Sequence, residues 1–112
     1  MPPIPPDINL IEILFATGEV SIAEVRAICE DERQLWALID AQVHKGHAEV
    51  WVDAPNGARK LETWEIATLV RDRAASTGEF EHPDAALRIR RDPNIDRAYR
   101  TDFAEWYRRN VE

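Results

Sequence analysis

Apolar residues return every three or four positions at the start of the chain. Ile8, Ile11, Leu14 and Phe15 fall on one helical face, with Leu10 and Ile13 at its edges. Asp7 precedes this run and is placed to cap it, and Gly18 can take the left-handed conformation that ends a helix. The pattern predicts a first helix over about Ile8–Thr17. The next run opens with Ser21 and Glu24, the S-x-x-E of a capping box, and Val20 and Val25 stand at the two hydrophobic-staple positions. Ile22, Val25, Ala27, Ile28 and Cys29 give this second helix its apolar contacts, and it ends near Glu30. A third helix starts at Asp31, with Gln34 at the matching box position. Leu35, Leu38, Ile39 and Val43 form its stripe, Trp36 borders the stripe, and Gly46 closes it. His44 and Lys45 face the negative end of that helix's dipole.

From His47 to Asp53 the period changes to two. Ala48, Val50 and Val52 alternate with Glu49 and Trp51, as in a half-buried strand. Asn56-Gly57 suits a two-residue type I′ hairpin, because both central positions need positive φ. That turn would set Asp53 opposite Lys60 and Val52 opposite Leu61. Helical spacing resumes over Glu62–Ala75, with Thr63 as cap and Ile66, Leu69, Val70 and Ala74 as stripe. The stretch STGEFEHPD reads as a loop anchored by Phe80, and Pro83 can begin a short turn through Arg90. Asp92-Pro93 then starts a last amphipathic helix, about Pro93–Asn110. Ile95, Tyr99, Phe103, Trp106 and Asn110 share its face, with Tyr107 beside them.

These elements define a mainly α fold with a β-hairpin, class α+β. The chain divides into a proline-rich arm (1–7), a folded domain (8–75), a loop and short turn (76–92) and a C-terminal amphipathic helix (93–110). At 112 residues this is one domain's worth of chain, enough to bury a core without staples. Cys29 is the lone cysteine, which excludes an internal disulfide and fits a reducing compartment. No apolar run approaches the roughly 18 residues of a membrane span. The N-terminus has no basic region and no long apolar core, so it does not read as a secretory signal. A cytoplasmic protein with no membrane contact is the expectation.

The order helix, Gly, polar pair, Ser-opened short helix, second helix, Gly, alternating strand appears as ILFATGEVS, IAEVRAICE, DERQLWALIDAQVHKG and HAEVWV. In this order and at these lengths the chain resembles the winged helix-turn-helix of small bacterial or phage regulators, over about residues 8–75, with APNGARK as the wing. The resemblance implies that the third helix enters the major groove of double-stranded DNA. Arg33, Gln34 and His44 would then reach base edges or phosphates, and Arg59 and Lys60 would meet the flanking backbone. It also implies a transcriptional regulator acting as a homodimer, because one reading helix contacts too few bases. The last helix, through Tyr99, Phe103, Trp106 and Tyr107, is the dimer or docking element.

Charge changes that picture. The net charge is −7. Residues 1–81 hold seven Lys and Arg against fifteen Asp and Glu, and residues 82–112 hold seven against six. An acidic body repels phosphate at long range. Glu30, Asp31 and Glu32 stand at the leading end of the reading helix, where like charge is most costly. The competing expectation is therefore an acidic winged-helix module that holds a basic protein partner through Glu30, Asp31, Glu32, Trp51 and Trp64, as adaptors of chromosome-organising complexes or phage inhibitors of host nucleic-acid machinery do. Trp51 and Trp64 lie on the outer face of the hairpin if both strands extend that far; if the fourth helix starts at Thr63, Trp64 belongs to its first turn instead. The C-terminal helix, within the chain or across a dimer, is expected to cover them. The arginines of LRIRR, with Arg97, Arg100, Arg108 and Arg109, either contact phosphate or pair with the acids of Glu30–Glu32 and Glu62–Glu65. The three histidines form no metal-ligand motif, and there is no glycine-rich phosphate loop or nucleophile elbow. No catalytic residue, metal or cofactor is assigned.

Overall fold

The computed structural model describes residues 4–75 and 84–111. The elements run α1 (Pro6–Thr17), β1 (Glu19–Ser21), α2 (Ile22–Ala27), α3 (Glu32–His44), β2 (Ala48–Val52), β3 (Arg59–Lys60) and α4 (Thr63–Ala75). A 3₁₀ turn (Asp84–Ala86) then leads into β4 (Leu87–Arg91). The last helical stretch is α5 (Ile95–Ala98), a π-helical segment (Tyr99–Phe103) and α6 (Ala104–Asn110). The class is mixed α+β. The loop anchor at Phe80 and the histidine His82 lie outside the described residues.

The helix ends show why these segments fold locally. Pro5 and Pro6 open α1, where a missing N–H costs nothing because the first-turn donors have no helical partner. Asp7 is therefore not the cap expected of it but a first-turn acid beside the positive helix end. Gly18 ends α1 in the left-handed region (φ 81°) and donates to the Leu14 carbonyl. At α2 both halves of the capping box form: Glu24 N–H donates to Ser21 Oγ (3.1 Å) and Ser21 N–H to Glu24 Oε1 (3.3 Å). The helix stops at Ala27, three residues short of the expected end. Asp31 caps α3 by accepting from Gln34 N–H at 2.7 Å. At α4 the first helical carbonyl is that of Glu62, so Thr63 is the first helical residue and not the cap.

A four-stranded antiparallel sheet, order β1-β4-β2-β3, closes the core. The alternation in β2 holds, with Ala48, Val50 and Val52 buried. Two strands were not expected. β1 is only three residues long, and LRIRR forms β4 instead of the anticipated turn through Arg90. The cause is period-two burial: Leu87 and Ile89 are fully enclosed between β1 and β2, while Arg88 and Arg90 stand outward. The hairpin register also differs. Trp51 faces Lys60 and Val52 faces Arg59, so each partner lies two residues from the one expected. Gly57 N–H donates to the Ala54 carbonyl, so Pro55 and Asn56 are the central turn residues, with Gly57 following at φ 110°. Pro55 pre-sets the first central φ, which favours this turn over one centred on Asn56-Gly57.

Core side chains come from every layer: Leu10, Ile11 and Leu14 of α1, Leu35 and Ile39 of α3, Val50 and Ile89 of the sheet, and Ile66 of α4. Leu10 is central and not marginal. Trp36 is wholly buried rather than bordering the core, with the Arg73 guanidinium of α4 over its ring at 5.4 Å. The last helical stretch begins at Ile95, after a turn in which Asp92 accepts from Asn94 N–H and Ile95 N–H; Pro93 lies in that turn. Ile95 and Ala98 are buried, and Tyr99 stacks on Phe15 of α1 with ring centroids 4.0 Å apart. Phe103 continues the stack at 4.8 Å from Tyr99. The π-helical turn carries one extra residue through this contact, which displaces α6 from the face that Ile95 and Tyr99 share. No residue of α6 is buried.

Candidate nucleic-acid interface

The helix pair α2–α3 presents one open side. Arg33, Ala37, Ala41 and His44 are exposed along α3 at helical spacing, while α4 packs on the flank that buries Trp36. Arg33 has no ion-pair or hydrogen-bond partner among the described residues. Gln34 is half-buried, and its Oε1 accepts from Glu30 N–H at 2.6 Å, so it supports the turn between the helices and does not point outward as a free amide. His44 Nδ1 lies 2.9 Å from the Asp40 carbonyl and 3.2 Å from its carboxylate.

The three acids ahead of α3 are not equivalent. Asp31 is used as the cap, and Glu32 is held bidentately by Arg26 at 2.7 and 2.8 Å. A carboxylate that caps a helix or grips a guanidinium projects much less field than a bare one. Glu30 remains exposed. The half-buried Cys29 thiol sits beside them; burial first, then Asp31 and Glu32, push its pKa up and keep it protonated.

The β2–β3 hairpin and the outer sheet face carry cations that are already matched. Arg59 bonds Glu65 through two nitrogens at 2.8 and 3.0 Å, and Lys60 reaches Glu49 at 2.9 Å. Burial opposes ionisation of Glu49, but the hydrogen bonds from Lys60 and Trp51 outweigh it and hold its carboxyl below the usual value. The bond to Glu49 in turn raises the Lys60 pKa. Arg90 lies 4.4 Å over the Trp51 ring and 2.8 Å from Glu19, and Arg88 is 3.6 Å from Asp53. Of the LRIRR arginines, Arg90 thus pairs with Glu19 and Arg88 with Asp53, while Arg91 donates to the Phe15 carbonyl at 3.1 Å; the Glu30–Glu32 and Glu62–Glu65 groups are not their partners.

The two outer tryptophans differ in their surroundings. Trp51 is covered by Arg90, whereas the C-terminal helix packs on α1 and leaves it alone. Trp64 belongs to the first turn of α4, is 66% exposed, and donates to Glu62 at 2.7 Å. Tyr99 and Phe103 pack within the chain, and Trp106 is half-buried next to them. Tyr107 remains open.

A recess missed by sequence reading lies where the end of α3 meets α5. Lys45, Gly46, His47, Asn94, Arg97 and Thr101 line about 320 Å³. His47 Nδ1 is 2.8 Å from Oε1 of Gln42, a buried polar side chain of the core at 1% exposure. Burial pulls the His47 pKa below its ordinary value; Lys45 adds to this, and Asp102 and Asp92 oppose it. Residues 45–47 and 94–101 are half the chain apart, which is why spacing alone does not reveal the site.

Among the described residues no helix is long and apolar enough to cross a membrane, and no three His, Cys, Asp or Glu side chains converge to hold a metal ion. Compared with known proteins, the chain matches no family model, no curated protein and no solved structure.

Proposed function

We propose that this is a winged helix-turn-helix protein that binds double-stranded DNA through the open side of α3, as a transcriptional regulator does. The observation that carries the reading is the free Arg33 at the head of an exposed stripe that continues through Ala37 and Ala41, with the Asp40 carboxylate beside it held 3.2 Å from His44. Small side chains let a helix approach base edges closely, and alanine can meet a thymine methyl. From Arg33 to His44 the stripe is about 16 Å long, enough to cross a major groove about 12 Å wide with Arg33 at one bordering backbone. A helix-turn-helix backed by an antiparallel sheet, with a hairpin after the second helix, is consistent with the winged form. The pairing of Asp31 and Glu32 reduces the repulsion that the sequence suggests.

A two-fold dimer fits the same reading, and the aromatic side of α6, with Tyr107 open and Trp106 half-open, is the surface for it. Titration of duplex DNA at low salt tests the function. Binding should weaken as salt rises, and Arg33→Ala should lower the salt slope by about 1. Absence of duplex binding at low salt overturns it.

One observation favours the second reading, a module for a basic protein partner. Trp64 is largely exposed on α4, next to Glu62, in a chain of net charge −7. That reading requires Glu30→Lys and Trp64→Ala to weaken such a complex, and unchanged affinity in both removes it.

A further inference from the structure

We propose that the recess between the end of α3 and α5 is a binding site for a phosphoryl group. Several cations of this protein already have carboxylate partners: Arg26 with Glu32, Arg59 with Glu65, Lys60 with Glu49, Arg90 with Glu19 and Arg109 with Glu105. Lys45 and Arg97 have none among the described residues, although acids outnumber bases by 21 to 14. Two unmatched cations facing one hollow in an acidic protein leave a positive pocket that the fold does not neutralise. No carboxylate lines the recess. Asp92 and Asp102 bear on His47 from outside the lining; Asp92 accepts from Asn94 N–H (2.9 Å), and Asp102 lies 3.2 Å from Thr101 Oγ1, whose hydroxyl is nearer the Arg97 carbonyl (2.8 Å). Asp96 lines only the adjoining hollow, where Arg97 and the equally unpaired Arg100 also stand.

The hollow is built on fixed walls. Asp92 N–H donates to the His47 carbonyl at 3.1 Å, joining the start of β2 to the turn before α5. Gln42 Oε1 accepts from His47 Nδ1–H, which fixes the ring and turns Nε2 away from Gln42. A buried amide used to aim one ring is a costly feature in a core that is otherwise apolar. The last carbonyls of α3 are taken up by N–H groups of Lys45, Gly46 and His47, so the negative end of that helix is blunted. Donors of the kind that grip phosphate are all present: an ammonium, a guanidinium fork and the Asn94 side-chain amide. A cavity of about 320 Å³ has room for a phosphate or a pyrophosphate. The phosphoryl group belongs either to a free phosphate ester or to a nucleic-acid backbone.

The test is an amide-resolved NMR titration of the whole chain with inorganic phosphate and with pyrophosphate, at ionic strength held constant with chloride. Saturable shifts at Gly46, His47, Arg97 and Thr101 are expected. Lys45→Gln and Arg97→Gln, both at exposed positions, should each weaken binding about tenfold with the remaining spectrum unchanged. Asn94→Asp, which adds a carboxylate to the wall, should do the same. Absence of saturable shifts, shifts reproduced by chloride alone, or wild-type affinity in all three variants would overturn the site. A second arm separates the sources. If duplex DNA moves the same amides and the variants lose DNA affinity, backbone phosphate fills the site. If DNA affinity is unaffected while phosphate binding is lost, the ligand is a free phosphate ester.

Discussion

The outer face of the sheet and the open side of α3 carry similar cations and treat them differently. On the sheet, Arg90 sits between Trp51 and Glu19, Lys60 is held by Glu49, and Arg59 is clamped by Glu65. On the α3 side, Arg33 and Lys45 have no carboxylate partner among the described residues, nor has Arg97 across the recess. A matched ion pair presents little net field, so the first surface is nearly neutral to an approaching polyanion. A lone cation keeps its full attraction. In an acidic protein, therefore, the number of arginines says little about the local field; their pairing decides it.

Substitutions on the two sides of β4 probe this contrast most strongly. Ile89 is fully buried in the centre of the sheet, so Ile89→Ala should cost about 2–5 kcal/mol in denaturant unfolding. Gln42→Ala comes next: it empties a buried site and leaves His47 without its partner, for about 1–3 kcal/mol. Ser21→Ala removes the capping box of α2 at about 1 kcal/mol. Arg90→Ala breaks only a half-exposed pair and a ring contact, and should cost below about 1 kcal/mol by the same measurement. If Arg90→Ala destabilised as much as Ile89→Ala, the sheet face would be a structural lattice rather than a neutralised surface, and the contrast would fail.

The smallest effect is one of pH. His47 in the folded chain takes up a proton less readily than in the unfolded chain, whose ordinary pKa is 6.5, chiefly because it is partly buried. As pH falls through 6.5 the unfolded state binds the extra proton first, so stability declines from there toward the lower native pKa. His47→Gln should flatten that slope in urea unfolding followed from pH 7.5 to about 5. An identical slope in the variant would assign it to other groups.

Much of the local architecture was legible in the sequence because its causes are local. Ser21, Glu24 and Asp31 form their caps within four residues, and the alternation through Val50 and Val52 needs only the strand itself. The sheet order was not legible in the same way. β1 is too short to show a period, and its partner β4 lies some 70 residues away, as Val20 facing Ile89 illustrates. LRIRR by itself reads as part of a turn, and its arginines as phosphate contacts or partners of other acids, because their contacts with Trp51, Glu19 and Asp53 are all distant in sequence. The hairpin register depended on Pro55, a residue before the Asn-Gly pair. For the interface, sequence located Arg33 and the acids of Glu30–Glu32 but not their different fates. The recess around His47 needed the turn at Asp92 to bring two distant segments together.

The contrast between free and matched cations is tested most directly by duplex DNA affinity, measured across a salt series for wild type, Arg33→Ala and Arg59→Ala. Arg33→Ala should lose affinity and lower the salt slope by about 1, while Arg59→Ala should stay close to wild type. Equal losses in the two variants, or no salt-sensitive binding by the wild type, would contradict the account.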